Sequence, residues 1–184
     1  MIIDIIKAQG GVVEGLVDDN PHLKELSGIP VLHDVNGLSP FIISIGNCKV
    51  RKMIAERLNC DFATAVHPTA IISPTATILE GTVVMQGAII QTEVQIGKHC
   101  IINTKVSIDH ECVIGDYVDI APGCTISGDV HVGEGSWIGA GTTIIQGIHV
   151  GKNCIIGAGS VIVKDIPDNS KAYGVPCKIV ETTK

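Results

Sequence analysis

The chain has 184 residues, 45% of them apolar and 17% charged, with a formal net charge of −6. That is enough apolar material for one large domain or two small ones, and it excludes bulk disorder. The acidic balance argues against a general nucleic-acid binder, and no apolar run approaches the roughly 18 residues a spanning helix needs.

In chain order, residues 1–65 read as a small α/β unit. Ile2–Gln9 predicts a helix stopped by Gly10-Gly11. With Ile2, Ile3, Ile5 and Ile6, apolar groups cover much of its surface, so it wants a sheet on one side and a further partner on the other. Val12–Val17 reads as a strand ending in Asp18-Asp19-Asn20. Phe41–Ile45 reads as a second strand, followed by Gly46-Asn47. Lys49–Leu58 predicts a helix with Val50, Met53, Ile54, Arg57 and Leu58 spaced along it, and Phe62–Val66 leads onward. Strands alternating with helices imply a small parallel sheet, whose polar turns are where ligands of such sheets bind. A nucleotide-binding unit of this kind opens with a strand and a Gly-rich turn, and here a helix comes first. The segment therefore reads as a truncated Rossmann-like unit. One sheet edge and part of the Ile stripe are expected to be exposed, with residues 1–65 weakly packed.

From Val66 to Ile162 every sixth residue is Ile or Val, seventeen in succession without a break in phase. Four residues after each stands a second, mostly small column, from Ala70 and Ala76 through Cys100, Cys112, Cys124, Ser136 and Cys154 to Ser160. Glycine follows the aliphatic residue at 97, 115, 133, 139, 151 and 157. This is the hexapeptide pattern of a parallel β-helix. Each unit is a short strand and a corner, three units close a triangular coil of 18 residues, and coils stack at about 4.8 Å. Residues 66–167 supply nearly six coils. The aliphatic column points inward, the small column packs at the corner, and the glycines are expected to permit corner dihedrals that a Cβ resists. The repeat resembles the left-handed β-helix of hexapeptide acyltransferases, which supplies the handedness.

The chain has seven cysteines, an odd number, and its first residues lack the basic and apolar stretches of a secretory leader. Reduced thiols and a cytoplasmic setting are expected. Cys100, Cys112, Cys124 and Cys154 fill the inward column without any C-x-x-C pair, so they read as small hydrophobes and not as a metal site. Residues 168–184 form a tail. Residues 1–151 carry 8 Lys and Arg against 16 Asp and Glu, whereas 152–184 carry 5 Lys against 3 acids. The positive end suits either a phosphorylated small molecule or a solvated tail.

A β-helix core is aliphatic, so chemistry must use outward residues or a cleft between prisms. His110 is flanked by Asp109 and Glu111, and a nearby carboxylate orients an imidazole and stabilises its protonated form. Gly128, 18 residues on, is expected directly above His110, leaving space over the ring and a backbone N–H free to meet a developing oxyanion. His131 and His149, also 18 apart, are expected to stack as exposed corner residues. His67, before Pro68, is expected to cap the first coil.

The whole chain resembles the sialic acid O-acetyltransferase and UDP-4-amino-sugar N-acetyltransferase (PglD/NeuD) family. The matching stretches are Leu16-Val17-Asp18-Asp19-Asn20, Gly28-Ile29-Pro30-Val31-Leu32, Ile45-Gly46-Asn47, His67-Pro68-Thr69-Ala70, Asp109-His110-Glu111-Cys112-Val113-Ile114-Gly115, Ile120-Ala121-Pro122-Gly123 and Gly174-Val175-Pro176-Cys177-Lys178. The resemblance implies a homotrimer with active sites between adjacent prisms, acetyl-CoA as co-substrate and no metal. Hexapeptide carbonic anhydrases use two histidines five apart, and no such pair occurs here. By the same resemblance His110 is the catalytic base, Glu111 its supporting acid and Gly128 the amide facing the thioester oxygen. Ala140 and Ala158 match backbone contacts to acetyl-CoA, and Gly174, Pro176 and Lys178 the adenine end. Asp119 stands where a His often lies near the cofactor. Asp18, Asp19, Gly46 and Asn47 match the nucleotide-sugar side. The family's first strand and Gly-rich loop precede the point where this chain begins, so poorer nucleotide-sugar binding is expected alongside intact acetyl-CoA binding. The expected activity is acetyl transfer to an amino sugar, with O-acetylation of a sialic acid or other sugar hydroxyl as the alternative enzyme. A non-catalytic trimeric scaffold is the alternative outside enzymes.

Overall fold

The computed structural model describes residues 1–182 apart from Asn36 and Asn59. From Ala65 to Ile162 the chain winds as a parallel β-helix built of two-residue strands. Three ladders of parallel strands make its three faces, and each strand pairs with those 18 residues before and after it. The first face runs from Ala65–Val66 through Ile101–Ile102, Asp119–Ile120 and Trp137–Ile138 to Ile155–Ile156. The second runs from Ile71–Ile72 through Ser107–Ile108 to Val161–Ile162. The third runs from Thr77–Ile78 through Val113–Ile114 to His149–Val150. Ile and Val suit these strands because a β-branched side chain packs well on a pleated, half-buried surface. The inward column from Ile90 to Ile162 is almost fully buried in one continuous core, and each such side chain contributes about 1.5–3 kcal/mol by leaving water.

The small inward column does more than fill space. The Sγ–H groups of Cys100, Cys112 and Cys124 donate to the carbonyls of Gly115, Ser127 and Gly139, each 15 residues on. Thr82 and Ser136 do the same toward Gly97 and Gly151. A short polar side chain here satisfies a corner carbonyl of the next coil.

The glycines after the aliphatic column have a different cause from the one expected. The left-handed backbone falls two residues later, at Glu93, His99, Lys105, Glu111, Tyr117, Asp129 and Asn153, with φ between 53° and 61°. Gly97, Gly115, Gly133, Gly139, Gly151 and Gly157 are needed for close approach. A Cβ at Gly133, for example, would stand 2.6 Å from the backbone of Gly151 and Lys152 in the next coil.

The N-terminal segment departs further from expectation. α1 spans Ile2–Ala8, one residue shorter than predicted. Of Val12–Val17 only Leu16–Val17 forms a strand, β1. Glu25–Leu26 (β2) and Ile29–Leu32 (β3) were not predicted. The sheet order is β1-β3-β2, parallel between β1 and β3 and antiparallel between β3 and β2, so the sheet is mixed and β1 lies at an edge. Phe41–Ile45 is no strand. Phe41 alone bridges to Phe62, and the carbonyl of Ile45 is taken by a side chain instead of a neighbouring strand. α2 spans Cys48–Arg57, and it buries Arg51 and Ala55 while Met53 is exposed. The Ile stripe of α1 packs on the β-helix: Ile5 is fully buried with Ala65, Val83, Met85 and Ile101, flanked by Ile2 and Ile6.

The tail continues the first face. Ser170–Tyr173 pairs in parallel with Ile155–Ile156 and then turns through Gly174–Cys177 into antiparallel Lys178–Thr182. No helix among the described residues is long and apolar enough to cross a membrane.

Candidate active site

Ser107–Ile108 ends at a corner between the second and third faces, and His110 and Glu111 are that corner. Glu111 takes the left-handed backbone (φ 61°), and its N–H donates to the Thr92 carbonyl one coil below. The His110 carbonyl accepts from the Asp129 N–H one coil above. The His110 ring is about half exposed, and its Nδ1 lies 2.9 Å from Glu111 Oε2. With Nδ1–H donating to that carboxylate, Nε2 carries the lone pair. The His110 pKa is raised, first by the hydrogen bond to Glu111. Partial desolvation opposes the shift, and the carboxylates of Asp109, Glu111 and Asp129 add to it.

Gly128 lies over this ring as the spacing predicts. A Cβ there would come within 2.5 Å of His110 Cε1 and Nε2. The Gly128 N–H donates no hydrogen bond among the described residues, while its carbonyl is taken by Gly147. The arrangement therefore sets a basic nitrogen beside an unused amide donor at one corner.

A second Gly–His stack shows what burial changes. His99 sits against Gly81, between the faces of Tyr117 (5.2 Å) and the edge of Phe62 (4.5 Å), and is almost fully buried. Burial lowers its pKa. It packs the joint to residues 1–65 and is no candidate base.

The remaining predicted residues fall on other edges. Ala140 and Ala158 lie at the corner between the first and second faces. The Gly141 and Gly159 amides there bond to the carbonyls of Pro122 and Ala140. Gly174 continues this edge, donating to Ser160 Oγ and accepting from Val161 N–H, and Pro176 and Lys178 follow in the turn and the last strand. Within one chain the width of the second face separates this edge from His110. Asp18 and Asp19 follow β1, where Asp18 Oδ1 accepts from Asn20 N–H and the Asp18 carbonyl meets His33 Nδ1. Asn47 caps α2 through Val50 N–H, and Gly46 precedes it. No hydrogen bond joins Asp18 or Asp19 to Gly46 or Asn47 among the described residues. His131 and His149 stack at 4.5 Å but are outward strand residues of the third face, not corner residues. His67 caps the first turn through Thr69, at 2.8 Å. The inward cysteines are buried and burial raises their thiols, Cys100 to about 12. No group of three or more His, Cys, Asp or Glu among the described residues is placed to hold a metal ion.

Asp119 is on the first face, beneath α2, away from the Ala140–Gly174 edge. It is 8% exposed, its Oδ1 has no hydrogen-bond partner among the described residues, and burial pushes its pKa up to about 6, opposed by Arg51. The folded state thus holds this proton more tightly than the unfolded chain. Stability from this site is full below about pH 4 and declines as pH rises through 6, by at most about 3 kcal/mol. Asp119→Asn is expected to raise the melting temperature at pH 7.5 and to flatten its dependence between pH 4 and 7. Thermal melts of both proteins across that range measure it, and a lower melting temperature for the variant at pH 7.5 would refute the assignment.

Two family descriptions match the chain: bacterial transferase hexapeptide (six repeats), over residues 93–128 and 129–164, and PglD N-terminal domain, over residues 1–58. Among solved structures it is similar to a His-to-Asn mutant of perosamine N-acetyltransferase from Caulobacter crescentus, in complex with CoA and GDP-perosamine. Identity is 34% and the TM-score 0.94, over 98% of this chain and 90% of that one. It is also similar to the acetyltransferase domain of PglB from Neisseria gonorrhoeae FA1090 in complex with acetyl coenzyme A, at 34% identity and TM-score 0.91, over 97% and 92% of the two chains. UDP-N-acetylbacillosamine N-acetyltransferase of Bacillus subtilis (strain 168) is 54% identical over 48 residues. That match spans 24% of this chain and only 22% of the relative's length. Fold and comparisons together define a hexapeptide-repeat acetyltransferase. More narrowly, the chain belongs to the family of hexapeptide-repeat sugar acetyltransferases that carry a PglD N-terminal domain.

Proposed function

We propose that the protein transfers the acetyl group of acetyl-CoA to the amine of a nucleotide-linked amino sugar, a UDP-linked 4-amino sugar being the first candidate. The observation that carries this reading is the His110 corner: Nδ1 is held by Glu111, and the Cε1–Nε2 edge of the ring packs against Gly128, where only a residue without a Cβ fits. The amine nitrogen attacks the thioester carbonyl carbon while His110 Nε2 takes an N–H proton. The carbonyl oxygen becomes an oxyanion facing the Gly128 amide. The intermediate collapses with cleavage of the C–S bond, and CoA leaves as a thiolate that recovers the proton from the imidazolium. No acyl-enzyme forms, so the cysteines take no part.

The Ala140–Ala158–Gly174 edge would carry the cofactor, with Lys178 toward its phosphates, and Asp18, Asp19, Gly46 and Asn47 would hold the nucleotide sugar. Because the base edge and the cofactor edge are different corners of one prism, the complete site needs a second chain. We take the assembly to be a homotrimer that sets the His110 corner of one chain against the cofactor edge of the next. The relatives' names support an amine acceptor with GDP- or UDP-linked sugars, and a cytoplasmic setting suits such substrates.

The test is incubation with acetyl-CoA and a panel of UDP- and GDP-linked amino sugars. Thiol release is followed, and the product's mass and alkali stability are determined. Turnover giving one alkali-stable acetyl group per sugar is expected. An alkali-labile ester, or no binding of acetyl-CoA at millimolar concentration, overturns the reading.

A further inference from the structure

We infer that Arg51 is the positioning residue that fixes the Ile45–Asn47 turn, the proposed nucleotide-sugar turn, to the β-helix. The inference rests on the function proposed above for that turn. Arg51 is 1% exposed and makes no ion pair with a carboxylate among the described residues. Its guanidinium is spread over four backbone carbonyls instead. Nε donates to His99 O (2.7 Å) and Nη2 to Tyr117 O (2.9 Å), carbonyls one coil apart on the same corner. Nη1 donates to Ile45 O (2.8 Å) and Gly46 O (3.0 Å). One planar fork thus joins two rungs of the prism to two carbonyls of the turn.

The two sides of this joint differ in freedom. On the prism side, His99 is wedged between Tyr117, Phe62 and Gly81, so the carbonyls it presents are fixed. On the other side, the turn joins no sheet ladder, and a Cβ at Gly46 would meet nothing within 4 Å. Asn47 caps α2 through Val50 N–H, and its own carbonyl accepts from Arg51 N–H at 2.9 Å, so turn and helix start move together. A buried charge is costly, and an apolar side chain would seal the joint as well. What the guanidinium adds is orientation, since its donors lie in a fixed plane. A lysine has three donors on a flexible stem and cannot span the four carbonyls. Lys52 crosses the same joint to Glu134 at 2.5 Å, but that pair is half exposed and grips no atom of the turn.

The consequence is that Arg51 sets where the sugar nucleotide sits relative to the reacting centre, without touching either. The test compares Arg51→Lys with Lys52→Gln in steady-state kinetics for both substrates and in amide hydrogen exchange. Arg51→Lys is expected to raise the nucleotide-sugar KM about tenfold and to lower kcat, while the acetyl-CoA KM stays within about twofold. Exchange is expected to speed up over residues 45–50 with the β-helix amides still protected. Lys52→Gln should change neither readout by more than about twofold, as for exposed pairs generally. Free guanidinium at millimolar concentration is expected to restore part of the sugar affinity of Arg51→Ala. Unchanged sugar KM with unchanged exchange at 45–50 overturns the inference, and so does loss of protection throughout the β-helix, which would make Arg51 a fold residue. Should the wild-type protein acetylate no nucleotide sugar, the proposed function fails, and the exchange pattern alone still decides for or against the positioning role.

Discussion

Replacing His110 by Ala is expected to lower kcat by about 10²–10⁴, the usual contribution of one general base. The substitution removes a half-exposed side chain that hydrogen-bonds only Glu111 among the described residues, so the fold has little to lose. Melting temperature should therefore hold while the rate collapses. The pH dependence follows from the same contact. Glu111 stabilises the imidazolium and raises the His110 pKa. The base works only when neutral, so kcat/KM should rise with pH along a limb whose midpoint lies above the ordinary imidazole value of about 6.5. Glu111→Gln removes the carboxylate's charge. Its limb is expected to move to lower pH, with a lower plateau because the ring is held less firmly. A pH–rate profile of kcat/KM for wild type and both variants measures this. A wild-type limb below that value, or near-normal kcat in His110→Ala, removes His110 from the mechanism.

What could be read from the sequence, and what could not, follows from the range of the forces involved. The prism was legible because its register is written locally: an inward aliphatic residue every sixth position fixes each strand, and stacking at 18 residues follows. The meeting of His110 with Gly128 is therefore a matter of arithmetic, as is the stacking of His131 on His149. The N-terminal segment obeys no such period. β1 and β2 are two residues long, too short for alternation to declare itself, and Pro30 within β3 reads as a strand breaker although it lies opposite Glu25 in the sheet. Phe41–Ile45 has the apolar content of a strand, but Arg51 takes the carbonyl that a neighbouring strand would need. Arg51 itself gave almost no signal, because an arginine on a helix ordinarily faces water. Its burial, and that of Asp119, arise only when α2 docks on the first face of the prism. The one clue was Ala55 a turn later, marking a helix side able to approach another surface closely. The glycines that follow the aliphatic column were visible in the sequence but misread, since composition does not distinguish a glycine required by φ from one required by a neighbour.

That distinction decides the last expected result. Gly128 is not among the residues with left-handed backbone, so alanine costs nothing in local conformation. Its Cβ would nevertheless stand 2.5 Å from Cε1 and Nε2 of His110. Contacts that short do not occur, so one of the two must move. Gly128 is tied into the coil by its carbonyl bond to Gly147 N–H, and Asp129 N–H beside it holds the His110 carbonyl. The backbone is thus fixed, and the half-exposed ring is the part that yields. Gly128→Ala is therefore expected to swing the imidazole off its place and to crowd the amide proposed to meet the oxyanion. Removing one oxyanion donor costs about 10²–10³ in kcat, and displacing the base adds to that. Stability should change little, because the ring moves toward solvent. The variant is predicted to melt within a few degrees of wild type, to keep its acetyl-CoA affinity, because the proposed cofactor edge at Ala140–Gly174 belongs to another chain and is not altered, and to turn over at least about a hundredfold more slowly. Calorimetric titration of acetyl-CoA alongside single-turnover rates separates these effects. A variant that binds acetyl-CoA normally and turns over within a few-fold of wild type would place the reacting carbonyl somewhere other than this corner.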